Sequence, residues 1–283
     1  KARAAPSAPA ELCYADAHEL VRLISTRKLS AVELMQAHLK RIAAHNGRVN
    51  ALVAKLPDEQ CLAAAKAFDE RSGRADRPLL LGGLPWAFKD LEEARGFPCT
   101  YGSPIFRDNR PDFDTVLVER LRAAGVIPIA KTNVPEFGMG SHSYNKVYGT
   151  THNPYDLSRS AGGSSGGAGA GLASGMLPLA DGSDLGGSLR NPGHFNNIVG
   201  YRPSVGLVPD APDAMPLAGF GVKGPLGRSV TDVGLMLSVI AGAEARAPLS
   251  YPSDPSSFRA PLARDLKGLR VAFAPDLGGL PVE

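Results

Sequence analysis

The N-terminal part of the chain carries apolar residues at helical spacing behind two capping signals. Asp16 followed by Glu19, and Ser30 followed by Glu33, each place a short polar side chain three residues before an acid, which is typical of a helix start. Behind the second signal, apolar residues recur every three or four positions and charged residues occupy the opposite side. We therefore predict two helices here, each with one buried face.

Further along, apolar runs and helical periods alternate. Asp114 is a candidate cap for a helix that Gly125 would end, and the run before Lys89 would deliver that lysine to the end of a buried strand. Residues 132–159 lack periodicity and indicate a long loop, a kind of segment that is often functional. The predicted helices are 58–71, 114–124 and 230–241, and the predicted strands are 84–88, 126–130 and a final buried strand at 269–274.

This alternation predicts an α/β fold. The chain has 283 residues, of which 43% are apolar, enough to bury a sizeable core, and we see no repeat and no linker. Residues 1–15 begin with an Ala/Pro-rich stretch and are predicted to form a mobile arm. Residues 16–283 are predicted to form one domain.

Charge and composition narrow the partners. The net charge of +3 comes from dispersed Lys and Arg residues without a basic run, so we expect small-molecule ligands and no nucleic acid. No stretch approaches the ~20 consecutive apolar residues that span a bilayer, so we expect no membrane association. We expect a cytoplasmic protein, with export left open because residues 1–10 show no starting methionine. A homodimer is a further possibility that the sequence leaves open.

The three cysteines are widely spaced and match no metal or redox pattern. We interpret Cys13, Cys61 and Cys99 as reduced structural thiols. No histidine shows metal-ligand spacing either, and we expect neither a metal nor another cofactor.

Two glycine-rich turns carry the candidate chemistry. In the first, residues 160–167, Ser164 and Ser165 stand between glycine pairs, where the backbone can approach a ligand closely. A phosphate-binding turn is the alternative, but neither the GxxxxGK[ST] pattern nor a GxGxxG after a clear strand is present. In the second turn, residues 182–190, Ser188 follows two glycines, and converging backbone N–H groups there would suit an oxyanion hole.

A serine nucleophile needs a base, and histidine is the usual candidate. His194 is the nearest histidine to Ser188, but no carboxylate at a recognisable spacing accompanies it, and a G-x-S-x-G elbow is missing. His142 and His152 lie in the long loop, and His18, His38 and His45 lie on predicted helices. The residues alone therefore leave a Ser-His-Asp triad open without supporting it.

At this point the motifs resemble the amidase signature family. That family has a lysine after a Gly-x-Pro strand, then a Gly-Gly-Ser-Ser-Gly-Gly loop, then Asp-x-Gly-Gly-Ser-x-Arg, and the chain carries all three in that order. The resemblance runs from about Asp16 to the C-terminus and implies a large mixed twisted sheet packed between helices. The matching segments are 83–90, 162–167, 184–190, 131–136, 153–154, 202–206 and 224–226.

The resemblance implies a Ser-Ser-Lys triad that hydrolyses a carboxylic acid amide through an acyl-enzyme. Neutral Lys89 would accept a proton through Ser164, which follows a cis peptide bond, as Ser188 attacks the carbonyl. Burial would have to keep this lysine uncharged at neutral pH. The remaining implied roles are an oxyanion hole from the N–H groups of Leu185, Gly186, Gly187 and Ser188, support from Ser165, Asp184 and Arg190, and an acyl pocket at Gly138, Met139 and Gly140.

Departures from the family pattern concern the substrate. Residues 193–197 differ from the usual small apolar residue followed by Phe-Cys-Gly, so the pocket wall is unfamiliar. Leu185 replaces the threonine typical of the subunit that supplies ammonia for tRNA-dependent amidation, which favours a free-standing amidase over that glutaminase role. Family members normally continue well beyond Glu283, so we expect the N-terminal part of the domain. A non-catalytic remnant is the third possibility.

Overall fold

The computed structural model describes residues 9–72, 79–261, 263, 265–274, 276 and 278–279. The fold is a mixed α/β arrangement, which confirms the predicted class. One hydrophobic core runs from Leu12 to Ile240 and includes residues of every helix from α1 to α8 except the short α7. The helices are α1 (Pro9–Tyr14), α2 (Ala17–Ser25), α3 (Ala31–Val49), α4 (Asp58–Ser72), α5 (Val116–Ala123), α6 (Gly166–Ala173), α7 (Arg190–Phe195) and α8 (Val230–Ile240).

Within the described residues, the strands form two three-stranded sheets and one short hairpin. The first sheet has the order β1-β3-β2, with β2 and β3 parallel, and the second has the order β6-β8-β7 and is antiparallel. The two sheets meet where β2 and β6 lie side by side. The strands are β1 (Leu52–Val53), β2 (Pro85–Lys89), β3 (Ile127–Thr132), β4 (Tyr144–Asn145), β5 (Gly149–Thr150), β6 (Leu179–Asp184), β7 (Val199–Gly200) and β8 (Val222–Gly227).

The two predicted helix starts at Asp16 and Ser30 are confirmed, but only one of the two capping interactions forms as predicted. Ser30 and Glu33 form the full capping box of α3, because each side chain pairs with the backbone of the other. Asp16 occupies the N-cap of α2 without a side-chain capping bond. Asp232 provides the capping interaction instead, because its carboxylate accepts hydrogen bonds from the N–H groups of Ala17 and His18 at 2.9 Å.

The predicted cap of α5 was wrong by one residue. Thr115 is the N-cap, and its side chain accepts from the N–H of Val118. Asp114 is used elsewhere, because its carboxylate accepts the Arg95 N–H at 2.7 Å and pairs with Arg122 at 3.0 Å. A carboxylate with two stronger partners is not available to the helix end.

Two predictions at the ends of the chain need correction. The mobile arm predicted over residues 1–15 does not extend that far, because α1 buries Leu12 and Cys13; residues 1–8 lie outside the described residues. The final strand predicted at 269–274 does not form, and Leu269, Val271 and Phe273 are 57%, 84% and 88% exposed. An apolar segment becomes a buried strand only where it can pair with another strand. Within the described ranges, no strand lies beside residues 269–274.

Three smaller features complete the description. Cys13, Cys61 and Cys99 are buried free thiols. Among the described residues, no helix combines the length and apolar character needed to cross a bilayer. No cluster of three or more His, Cys, Asp or Glu side chains in this part of the chain is arranged to hold a metal ion.

Candidate active site

Lys89 is the last residue of β2 and is fully buried. All five residues of β2 are buried, so the apolar run carries the lysine into the core between the two sheets. The side-chain nitrogen Nζ lies 2.8 Å from the hydroxyl oxygens of Ser164, Ser165 and Ser183. A charged lysine would donate to all three hydroxyls, whereas an uncharged lysine would donate to two of them and accept from the third. The two serines predicted from the first glycine turn therefore both contact the lysine.

Ser164 and Ser165 lie at the start of α6, and the Gly163–Ser164 peptide bond is cis, as the resemblance implies. The backbone at Gly163 passes very close to the long loop, since a Cβ added there would lie 2.8 Å from the N atom of His142. Only glycine fits this approach. The glycine pair thus places the Ser164 hydroxyl against Lys89.

Ser188 lies in the turn between β6 and α7 and is partly exposed. The turn is held against the first glycine loop because the Ser165 N–H donates to the Ser188 carbonyl oxygen at 3.3 Å. The hydroxyl of Ser188 makes no hydrogen bond to any described residue. It lines the same cavity as Ser164 and is free to meet a ligand.

Asp184 braces this turn from inside. Its buried carboxylate accepts the N–H groups of Gly187 and Leu189 at 2.8 and 3.1 Å and pairs with Arg190 and Arg202 at 3.0 Å. Burial acts to raise the pKa of Asp184, but these hydrogen bonds outweigh it and lower the pKa below its ordinary value. Asp184 and Arg190 therefore occupy the supporting positions that the sequence indicated.

The predicted oxyanion donors are brought together only in part. The Gly187 N–H already donates to Asp184, so it does not stand free as a fourth donor. The N–H groups of Leu185, Gly186 and Ser188 have no partner among the residues that the structure describes. These three belong to one turn at the edge of the cavity.

The cavity has a volume of about 360 Å³. Gly138, Met139 and Gly140, the residues that the resemblance assigns to an acyl pocket, line this cavity. A Cβ added at Gly138 would lie 3.5 Å from the Ser164 hydroxyl oxygen. The long loop therefore forms one wall of the site.

Lys89 has a low pKa for a lysine, mainly because its side chain is buried. Burial first, and the positive charge of Lys223 second, lower the pKa of Lys89 from 10.5 to about 7. A lysine with such a pKa is partly uncharged at neutral pH and can accept a proton. Tight contact with hydroxyl groups alone is consistent with that uncharged form.

His194 does not take part in this arrangement. It is exposed on α7, its ring contacts the Phe195 ring with centroids 5.9 Å apart, and it is not among the described residues that line the cavity. The histidine alternative left open by the sequence therefore has no geometric support.

Sequence reasoning missed three polar residues of the site. Ser183 binds Lys89 from β6, and Lys223 and Asp210 line the cavity from β8 and from the loop before it. A weak sequence signal could have indicated Ser183. It stands two residues after Asp181, and side chains two residues apart on a strand lie on the same face. Lys223 and Asp210 had no such signal, because neither lies in the two glycine turns or in the segment that carries Lys89, although Lys223 directly precedes the matching segment 224–226.

Comparisons with known proteins show which family the chain belongs to. The profile of the family described as Amidase matches residues 33–282. An acylamidase of Rhodococcus erythropolis is 38% identical over 267 residues, covering 94% of this chain and 56% of that protein. A glutamyl-tRNA(Gln) amidotransferase subunit from Anaeromyxobacter dehalogenans is 40% identical over 266 residues, covering 94% of this chain and 54% of that protein.

Solved structures give the same assignment. A bacterial aryl acylamidase of the amidase signature enzymes superposes with a TM-score of 0.79 at 31% identity, covering 85% of this chain and 50% of that one. The peptide amidase of Stenotrophomonas maltophilia gives 0.74 at 34% identity, covering 83% and 49%. The chain belongs to the amidase signature family. It spans about half the length of the curated relatives it matches.

Proposed function

We propose that the chain carries the catalytic centre of an amidohydrolase that cleaves small carboxylic acid amides to an acid and ammonia or an amine. The observation that carries the proposal is the 2.8 Å contact between Lys89 Nζ and the Ser164 hydroxyl, in a buried position beside the cavity that Ser188 lines. A base, a relay and an unpartnered hydroxyl thus meet at one site.

In the proposed mechanism, uncharged Lys89 accepts the proton of Ser164, which takes the proton of Ser188 as that oxygen attacks the amide carbonyl. The carbonyl oxygen gains negative charge, which the free N–H groups of Leu185, Gly186 and Ser188 would stabilise. The protons then return along the same path to the leaving nitrogen, the C–N bond breaks, and an acyl-enzyme remains on Ser188. Water attacks the acyl group through the same relay and releases the acid.

The other residues of the site would hold this relay in place. Ser165 and Ser183 accept hydrogen bonds from Lys89 Nζ and so fix its direction. Asp184 would keep the Ser188 turn in shape through Arg190 and the backbone. Gly138, Met139 and Gly140 would contact the acyl part of the substrate.

The test uses the intact natural protein and a panel of aliphatic, aromatic and amino-acid amides. We expect release of ammonia or amine from at least one class, and we expect Lys89→Met to abolish that release while retaining the fold. Release that is unchanged in Lys89→Met would refute the mechanism. An absence of turnover on every amide, in a folded protein, would favour the non-catalytic alternative.

A second candidate function is the glutaminase role in a tRNA-dependent amidotransferase, which the names of several relatives favour. Leu185 speaks against it, because it replaces the threonine typical of that role. The same panel separates the two, because such a glutaminase would act on glutamine alone and would need a partner protein. Activity on other amides without a partner supports the free-standing amidase.

Two organisational predictions stay open. We propose that residues 16–283 form the N-terminal portion of one amidase signature domain, supported by the family match and by the half-length coverage of the relatives. The homodimer stays a prediction, and sedimentation of the intact protein would test it.

A further inference from the structure

Three carboxylates surround Lys89, yet its side-chain nitrogen touches only hydroxyl groups. Asp181, on β6, is the first of them. Its two carboxylate oxygens accept the indole N–H of Trp86 at 2.8 Å and the backbone N–H of Lys89 at 2.9 Å. Both donors are neutral and permanent, so this carboxylate is occupied whatever the charge on Lys89 Nζ.

Asp184, the second carboxylate, is occupied as well. Arg190 and Arg202 bind it at 3.0 Å, and backbone N–H groups of its own turn complete the set. Its charge is thus matched by two guanidinium groups that cannot lose their protons. Neither aspartate needs Lys89 as a partner.

Glu92, the third carboxylate, differs from the two aspartates in its hydrogen-bond and ion-pair partners. It is fully buried three residues after Lys89, and its N–H donates to the Lys89 carbonyl oxygen at 2.9 Å. One carboxylate oxygen accepts the Thr115 hydroxyl at 3.1 Å, and the other is bound by Lys223 Nζ. Lys131, from β3, reaches the backbone oxygen of Glu92 and the carboxylate of Asp90 instead. Within the described residues, Lys223 is therefore the cation that neutralises Glu92.

Lys223 is built into the site by strand register. It lies on β8 directly opposite Ser183, whose hydroxyl accepts from Lys89. Its side chain is 13% exposed and is also within 3.6 Å of the Asp210 carboxylate. The two lysines therefore approach the same polar region from strands of the two different sheets, β2 and β8. Lys223 is bound to carboxylates and Lys89 to hydroxyl groups.

We propose that Lys223 is a positioning residue for the base: by binding the Glu92 carboxylate, it prevents Glu92 from pairing with a protonated Lys89 and so keeps Lys89 an uncharged amine. This inference rests on the proposed function, in which Lys89 is the base. An unpaired buried carboxylate would favour the charged form of a nearby amine, and a nearby cation disfavours it, so Lys223 acts in both ways. Among the described groups that face Lys89, it is the one whose charge opposes protonation.

The directions of the pKa shifts agree with this arrangement. After burial, Lys223 is the strongest influence that lowers the pKa of Lys89, whereas Glu92, Asp181 and Asp184 act to raise it. Burial acts to lower the pKa of Lys223 itself, but Glu92 and Asp210 outweigh burial and raise it above its ordinary value. Lys223 is thus held charged, while Lys89 is partly uncharged at neutral pH.

The test is the pH dependence of fluorophosphonate labelling of Ser188 in the intact natural protein, which requires no knowledge of the substrate. Lys223→Met should raise the midpoint of the labelling limb by about one pH unit, because it removes a cation and leaves the Glu92 carboxylate without its charged partner. Labelling below the wild-type midpoint should then be about tenfold slower, with little change at the alkaline plateau. Lys223→Arg keeps the charge and should leave the midpoint near its wild-type value.

The Glu92→Gln variant is the matched counterpart of Lys223→Met. Glu92→Gln keeps the shape and the Thr115 contact but removes the charge, so the midpoint should fall below wild type. The double variant Glu92→Gln with Lys223→Met should return the midpoint toward wild type, which a purely structural role would not produce. Should Lys223→Met fail to fold, the opposite shift in Glu92→Gln still decides the question.

The outcomes separate this inference from the function on which it rests. If wild-type Ser188 is not labelled, or if Lys89→Met keeps the pH limb, the proposed function fails. If the limb belongs to Lys89 but does not move in folded Lys223→Met or Glu92→Gln, the inference about Lys223 alone is overturned.

Discussion

The side-chain nitrogen of Lys89 lies 2.8 Å from the hydroxyl oxygen of Ser164, and the two groups come from segments 75 residues apart. The contact is fully buried on the lysine side. A buried charged ammonium would normally be paired with a carboxylate, whereas Lys89 Nζ contacts three hydroxyl groups. In the proposed mechanism, this contact joins the base to its proton donor.

Lys89→Met should remove the pH limb of activity. Because the pKa of Lys89 is lowered to about 7, kcat/KM of the wild type should rise with pH around that value as the lysine loses its proton. Methionine retains much of the stem volume but cannot accept a proton, so kcat/KM should fall by at least about 10²-fold. His194→Gln is the control, and a limb that vanished there but survived in Lys89→Met would reverse the assignment.

Ser188→Ala should abolish turnover without loss of the fold. The substitution removes a hydroxyl that makes no hydrogen bond to the described residues, so the thermal midpoint should change little. Ser204→Ala, an exposed serine in another loop, is the matched control and should be fully active. A substantial residual rate in Ser188→Ala would rule out this residue as the nucleophile.

Ser164→Ala should be slow but measurable. The space left by the hydroxyl lies between Lys89 and the cavity, where a water molecule can partly replace the relay. Steady-state assays at saturating substrate should show a reduced kcat above the Ser188→Ala background. A rate equal to wild type would show that Ser164 transfers no proton.

Asp184→Asn should destabilise the protein and distort the Ser188 turn. The buried carboxylate holds Arg190 and two backbone N–H groups, and one lost charge-assisted hydrogen bond costs about 2 kcal/mol. Its lowered pKa means that this stability is present above the ordinary value of 3.8 and is lost as pH falls through the lower folded value. Urea unfolding at neutral pH measures the loss, and Asp156→Asn, which removes an exposed ion pair, should change little.

Lys89 should also leave a signature in stability. Its folded pKa of about 7 lies below the ordinary 10.5, so between these values the unfolded chain binds a proton that the folded protein lacks. The free energy of unfolding should therefore rise with pH across this window, by up to about 1.4 kcal/mol per unit from this group. Lys89→Met should lack that slope, and equal slopes in both proteins would contradict the lowered pKa.

Much of the local structure could be predicted because its causes lie within a few residues. The capping box of α3 joins Ser30 to Glu33, and the apolar run of β2 brings Lys89 to a strand end. The glycine turns around Ser164 and Ser188 could be recognised for the same reason, since glycine permits the close backbone approaches that they need. Short-range spacing therefore indicated Ser164 and Ser188, whereas Lys89 became a candidate base through the resemblance to the amidase signature family.

Other features depended on partners that no local pattern indicates. Asp232 caps α2 from 215 residues away, and a carboxylate cannot be assigned to a helix end without knowing what packs beside it. The same holds for 269–274, which are apolar enough for a buried strand but have no strand beside them among the described residues.

The sequence by itself determined the α/β class and the glycine turns, because each rests on residue type and short spacing. The candidate roles of Lys89, Ser164 and Ser188 came from the resemblance to the amidase signature family. The tertiary structure decided that Ser183 completes the contacts of Lys89, that the Gly187 N–H is used by Asp184, and that Lys223 binds Glu92. Glu92 and Lys223 are 131 residues apart, and the register of β8 against β6 brings them together only because β6 also packs against β2. Electrostatics at a buried base follow distance in space, and that distance is set by packing rather than by position along the chain.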